Sequence, residues 1–297
     1  MTAHEVPPPD WHIDSALVRD LLDEQHPDIA HLPIEPLASG WDNKMFRLGS
    51  DLIVRMPRRA AAIALMTREQ RWLPELARRL PLPVPEPVRS GVPTSRYPAP
   101  WSIVPWLRGI SASLQRCRAN QAVPLARFLA SLHVPADPAL PRNPMRGVPL
   151  RERAATIEER LERVASKTKL VTPAIRAMWR EALEAPPDPQ ETWVHGDLHA
   201  RNVLVEGGHL TAVIDWGDIC RGDRATDLAA IWMLLPNARA RALAIEAYGP
   251  VPPGTWSRAR GWAVSFAATL LDVGVAEDAD YAAMGEHVFR QLGDAGP

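Results

Sequence analysis

The stretch His195-Gly196-Asp197-Leu198-His199-Ala200-Arg201-Asn202, followed later by Ile214-Asp215-Trp216-Gly217-Asp218, decides how this chain is read. The runs NVLVE (Asn202 to Glu206) and HLTAVID (His209 to Asp215) link the two, short stretches of strand texture around a Gly207-Gly208 turn. A hairpin there returns Asp215 to the loop that carries Asp197 and Asn202. These three side chains offer hard oxygens, the ligand type that suits Mg2+, which prefers one or two carboxylates together with phosphate oxygens and water. Phosphoryl transfer asks for little else: metal ions to neutralise the phosphates, a cation on them, and a carboxylate that orients the attacking hydroxyl. Any one of the three residues alone reads more readily as a turn former or a cap; all of them in this order point to the chemistry.

Outward from this stretch, the chain from Thr226 to about Leu292 is helical in texture, and Thr192 to Asp215 has strand texture, beginning with the run WVHGD. Toward the N-terminus, Arg151 to Val164 and Pro173 to Leu183 read as helices. The proline-rich segment 135–149, PADPALPRNPMRGVP, reads as a packing loop, with a substrate-facing loop as the alternative. Leu114 to His133 is helical with an interruption at Pro124, and Trp101 to Leu107 is an apolar run. Arg58 to Leu80 forms a helix that stops at the prolines of PLPVPEPV. Lys44 to Leu48 and Leu52 to Met56 flank Gly49-Ser50-Asp51 as a hairpin, and Trp11 to Gln25 is an N-terminal helix capped by Asp14 or Ser15. The layout is α+β, with a small first half, residues 1–107, and a mostly helical second half, residues 108–297, that carries a short hairpin.

Composition excludes several classes. With 34 Lys+Arg against 35 Asp+Glu the net charge is -1, so no overall field draws the molecule to nucleic acid or anionic lipid. A hydrophobic fraction of 46% against 23% charged supports a buried core rather than a disordered chain. Cys117 and Cys220 have neither disulfide-framework nor zinc-module spacing. No segment approaches the roughly 18 uninterrupted apolar residues of a membrane helix, and the N-terminus has no signal-like flank. The expectation is a cytoplasmic protein, monomeric or a weak homodimer.

The order His195-Gly196-Asp197, Asn202 and Ile214-Asp215-Trp216-Gly217 resembles the aminoglycoside phosphotransferase and choline kinase-like family, whose pattern is H-G-D-x-x-x-x-N followed by I-D-W or I-D-x-G. The similarity runs from Leu37 to about Leu235. It implies a bilobal protein-kinase-like fold with an antiparallel sheet in the small lobe, ATP or GTP as phosphoryl donor, Mg2+, and a small hydroxylated acceptor, an aminoglycoside-like or other antibiotic, with resistance as the physiological setting. By the same resemblance Asp197 is the catalytic carboxylate, Asn202 and Asp215 hold Mg2+, His195 braces the loop, and Asp227 fixes the loop architecture. His199 is within two residues of Asp197 and could approach the γ-phosphate.

In the first half the resemblance places Ser39 and Gly40 in a phosphate-covering turn. It places Arg55 at a position where most relatives carry lysine, and Glu69 as the carboxylate that orients this cation. Arginine keeps the charge and adds a two-pronged grip; Lys44 is the competing cation. Pro105 through its C=O and Leu107 through its N–H would receive the nucleobase. For the acceptor, Asp218, Asp223, Asp272, Glu277, Asp278 and Asp280 form an acidic set suited to a polycation. Trp232, Trp256 and Trp262 offer apolar lining for a macrolide-like compound instead. Two other classes compete: a catalytically silent nucleotide-binding protein, and a metal hydrolase using His195, His199 and Asp197, which Gly196 and the preceding strand disfavour.

Overall fold

The structure, a computed structural model, describes residues 8–294. These residues form two compact units. One comprises residues 8–78 with Val84–Leu107, and the other Arg79–Pro83 with residues 108–294.

The first unit is a five-stranded antiparallel sheet with a helix packed on it. In chain order its elements are α1 (Ser15–Gln25), β1 (Ile34–Ser39), β2 (Asn43–Leu48), β3 (Leu52–Pro57), α2 (Ile63–Ala77), β4 (Arg89–Gly91) and β5 (Trp101–Pro105), and the strand order is β1-β2-β3-β5-β4. α1 begins where Asp14 accepts the Leu17 N–H at 2.8 Å. Its Val18, Leu21 and Leu22 pack on Phe46, Val54, Trp101 and Ile103 of the sheet. β2 and β3 pair in register from Asn43↔Pro57 to Leu48↔Leu52, around a turn whose Gly49 has φ +61. β1 is an element that the sequence texture does not announce. It lies at the sheet edge, where Pro36 removes no needed ladder donor, and a register shift between Pro36 and Ala38 breaks its alternation.

The second unit has a three-stranded antiparallel sheet of β6 (Ile110–Ser111), β8 (Val203–Glu206) and β9 (His209–Val213) in the order β6-β8-β9. A separate pair joins β7 (Thr192–Val194) to β10 (Cys220–Gly222). Its helices are α3 (Ala122–Leu132), α4 (Ala154–Lys167), α5 (Pro173–Glu184), α6 (Ala225–Leu228), α7 (Ala230–Leu234), α8 (Ala238–Tyr248), α9 (Thr255–Glu277) and α10 (Ala279–Gly293). α9 is the axis of the unit: α4, α5, α6, α7 and α10 all pack against it, so it is apolar on most sides. Pro124 does not interrupt a longer helix from Leu114. It occupies the first turn of α3, where an N–H has no intrahelical partner to lose. The helix expected from Arg151 starts at Ala154, after a 3-10 turn over Leu150–Arg153. Among the described residues no helix is long and apolar enough to cross a membrane.

Candidate active site

β7 delivers the chain into the loop 195–202, and α6 receives it. The Asp227 carboxylate, fully buried on α6, accepts the His195 N–H at 2.6 Å on one oxygen and the Gly196 N–H at 2.9 Å on the other. Gly196 has φ +86, and a Cβ there would lie 3.0 Å from Arg146 Cβ and 3.1 Å from the Asp218 carbonyl, so both conformation and space require glycine. The His195 ring packs at a tilt against buried Trp216, with 4.6 Å between ring centres. Its Nδ1 accepts the Asp197 N–H at 3.2 Å and its Nε2 donates to the Ile214 carbonyl at 3.0 Å. Those partners select the Nε2–H tautomer and occupy both ring nitrogens. The hydrolase reading therefore loses its first metal ligand.

The same ring ties the loop to the end of β9. Asn202 strengthens the tie, since its carbonyl accepts the Ile214 N–H at 2.9 Å while its Nδ2 donates to the Asp197 carbonyl at 2.9 Å and to Asp197 Oδ2 at 3.3 Å. Asp215 follows directly, with φ +63, the only positive φ outside glycine among the described residues. Its exposed carboxylate makes no hydrogen bond or ion pair among them, and the Asn202 Oδ1 likewise accepts none. Two hard oxygen donors thus stand unclaimed beside Asp197, and this donor set fits Mg2+.

Over residues 33–262 the sequence matches the phosphotransferase enzyme family. The chain belongs to that family. A homoserine kinase of Pseudomonas aeruginosa is 35% identical over 126 residues, which are 39% of this chain and 39% of the length of that relative. Among solved structures, the GDP complex of aminoglycoside 2'-phosphotransferase-IIIa superposes with a TM-score of 0.65 at 18% identity over 94% of this chain and 98% of its own. The macrolide 2'-phosphotransferase of Brachybacterium faecium superposes with a TM-score of 0.58 at 21% identity, over 92% and 97%. The fold of this phosphotransferase is that of the protein kinases, α+β with an antiparallel sheet.

Asp197 in this phosphotransferase carries a partner that the sequence gives no sign of. Arg146, from the segment 135–149, holds Asp197 Oδ1 at 2.7 Å and lies 3.7 Å from Asp218 Oδ2. His199 Nε2 sits 3.3 Å from the other Asp197 oxygen. Burial pushes the Asp197 carboxyl up, but Arg146, with His199, outweighs it and holds the carboxyl far below the usual carboxylate range. Asp218 moves the other way: burial raises it, Arg146 pulls it down, and Asp197 adds a like charge. Arg146 is placed by a close backbone crossing, in which a Cβ on Gly222 of β10 would lie 2.5 Å from the Gly147 carbonyl. An arginine amid prolines has no spacing that singles it out; the following Gly147, φ +64, is the only local hint.

In the first unit, buried Arg55 on β3 and buried Glu69 on α2 form an ion pair. Lys44, the competing cation, donates to the Ile13 carbonyl at 2.6 Å. Gly40 closes a turn by donating its N–H to the Asn43 carbonyl at 2.9 Å, and its own carbonyl accepts from Arg58 at 3.0 Å. Ser39 ends β1, and its side chain lies outside the described residues. Pro105 ends β5 opposite Leu52, and the Leu107 N–H has no acceptor among the described residues.

The acidic set expected to meet a polycation is already matched with arginines. Asp223 pairs with Arg258 at 2.6 Å, Asp272 with Arg163 at 2.8 Å, and Asp278 and Asp280 with Arg201 at 2.8 and 3.7 Å. The Glu277 side chain lies outside the described residues. Trp232 and Trp262 are buried core residues rather than pocket lining, and Trp256 packs edge-on against Tyr248 at 5.8 Å.

Proposed function

We propose that this phosphotransferase moves the γ-phosphoryl group of ATP or GTP to a hydroxyl of a small molecule in a Mg2+-dependent reaction. The observation that carries the proposal is the convergence of Asp197, Asn202 and Asp215 on one hydrogen-bonded junction, with two oxygen donors left unclaimed. Asn202 and Asp215 would hold Mg2+, which supplies neutralising charge to the donor phosphates. The Asp197 carboxylate receives and orients the acceptor hydroxyl. A group held so far below the usual carboxylate range is a weak base, so its work is alignment more than early proton removal, which suits a loose phosphoryl transition state.

In the first unit, Arg55 steadied by Glu69 would face the phosphates, with the Ser39 and Gly40 turn covering them. Pro105 and Leu107 would offer a carbonyl and an N–H to the base. GDP complexes and a streptomycin–ATP complex among the structural neighbours support a nucleotide donor of either base. Those neighbours also include kanamycin and macrolide enzymes, which supports an antibiotic acceptor, whereas the homoserine kinase match supports a hydroxy amino acid. The arginine pairing of the acidic set favours the latter chemistry. The reading includes a cytoplasmic enzyme, monomeric or a weak homodimer.

The test is phosphate transfer from each nucleotide to a panel of aminoglycosides, macrolides, choline-like amines, sugars and hydroxy acids. Asp197→Ala is expected to abolish transfer while nucleotide affinity stays within about threefold of the parent. Transfer near parental rates by a folded Asp197→Ala protein removes Asp197 from the role. Nucleotide binding with no transfer to any acceptor returns the protein to the silent class.

A further inference from the structure

Around Arg146, the arginine that holds Asp197, the second unit gathers two more, Arg153 and Arg160, whose charges it feels. Arg146 packs its guanidinium over the Phe266 ring at 5.3 Å while it holds Asp197. Arg160, on α4, reaches the Thr269 carbonyl at 3.5 Å and lies 3.9 Å from Asp272. Phe266, Thr269 and Asp272 follow one another at three-residue steps along α9, so the two arginines sit about one helical turn apart on the same face. Arg153 precedes Arg160 by seven residues, two turns along the same stripe at the start of α4.

The charges around this cluster do not cancel. Asp272 is already gripped by both Nε and Nη2 of Arg163, at 3.0 and 2.8 Å, and is only distantly shared with Arg160. Arg153 has no acidic partner among the described residues, and the Nε atoms of both Arg153 and Arg160 are buried without any hydrogen-bond acceptor. Burial, and then the like charges of Arg146 and Arg160, pull Arg153 below the ordinary arginine range. Like charges gathered this way carry a cost where no acid or acceptor answers them, as at Arg153 and at the Nε of Arg160, and an oxyanion bound among the three would remove it. Of the five N–H groups of Arg146, Asp197 and Asp218 face only two edges, which leaves others for a further acceptor.

We infer that Arg146, Arg153 and Arg160 form an oxyanion subsite of the acceptor, so that the molecule phosphorylated is a small hydroxylated anion, a carboxylate or a phosphate ester, rather than a polycation. This deepens the phosphotransferase reading and rests on it for the identity of the ligand as acceptor. Arg146 touches Asp197 directly, so the anion and the reacting hydroxyl lie only a few bonds apart. The α4 start adds its own positive pole to the site.

The experiment uses the full chain and a charge series built on one skeleton, namely glycerol, glycerate and glycerol 3-phosphate, with kanamycin as the polycation. It measures thermal stabilisation by each compound and steady-state phosphate transfer, in the parent, Arg153→Gln and Arg160→Gln. Glycerate or glycerol 3-phosphate is expected to stabilise the parent where glycerol and kanamycin do not, the stronger of the two identifying the anion. Each substitution is expected to raise acceptor KM by about tenfold or more, with kcat and nucleotide KM within about threefold. Stabilisation by the anions, lost in the variants but with no transfer to any compound, keeps the oxyanion subsite and defeats the phosphotransferase reading.

Three results overturn the inference while leaving phosphate transfer intact. One is transfer to kanamycin or glycerol that is indifferent to both substitutions, and another is a change in nucleotide KM instead of acceptor KM. The third is the absence of stabilisation by either anion. A variant that fails to fold leaves the decision to the parent charge series, which discriminates by itself.

Discussion

Replacing Asp227 by asparagine tests how the loop 195–202 is held. One buried carboxylate collects two backbone N–H groups, from His195 at 2.6 Å and Gly196 at 2.9 Å, each on its own oxygen. Asparagine keeps one acceptor and turns an NH2 group toward the other N–H. A stranded buried donor costs about 1–3 kcal/mol, and loss of the charge-assisted character of the surviving bond adds about 1 kcal/mol. The sum, about 2–4 kcal/mol, is a large part of a typical stability of about 5–15 kcal/mol, but leaves the protein folded. In urea, with a slope of at least about 2 kcal/mol per molar for a chain of this size, the midpoint should fall by about 1–2 M. Circular dichroism across a urea series measures that shift, and the turnover number should fall with it, because His195 and Gly196 set the approach of Asp197. A midpoint within about 0.3 M of the parent, with unchanged turnover, refutes the assignment of Asp227 as the anchor of the loop.

Glu69→Gln removes the negative partner of buried Arg55; a stability loss of about 3 kcal/mol and a raised nucleotide KM are expected, and an unaltered nucleotide KM separates the pair from nucleotide binding. Gly222→Ala pushes a methyl against the Gly147 carbonyl and displaces the segment that carries Arg146. It should cost about 1–3 kcal/mol and lower acceptor kcat/KM at constant nucleotide KM, as kinetics with a melting control will show. His287 is lowered to about 4 by burial, with Arg116, Arg241 and Arg290 adding like charge. Below about pH 6.5 the unfolded chain takes up a proton that the folded chain refuses until about pH 4, so stability should decline as pH falls through that window. A His287→Gln variant should show a shallower decline in urea midpoint between pH 6.5 and 4.5, and an identical slope would clear His287 of the effect.

The readable parts of the sequence were those in which one residue type can do one job. Asp197, Asn202 and Asp215 could be brought together on paper because a Gly-Gly turn fixes the return of the chain, and the structure joins them through the Ile214 N–H to Asn202 carbonyl bond. Asp227 was visible only through the family resemblance, which assigns it to the loop architecture. Arg146 was not visible, because its position depends on a backbone crossing between Gly147 and Gly222, 75 residues apart, and neither glycine is distinctive by itself. β1 was obscured by its own bulge and edge proline. The acidic set was legible as composition but not as charge, since each of its paired members is balanced by an arginine from a distant part of the chain.

The segment 135–149 has no helix and no strand of its own, yet it brings a cation to the Asp197 carboxylate. The loop that carries Asp197 is held elsewhere, by the Asp227 carboxylate on α6 and by the bonds of His195 and Asn202 to Ile214 at the end of β9. Under the proposed reading, substitutions among these fifteen loop residues would retune the choice of alcohol while the anchors of the Asp197 loop stay as they are.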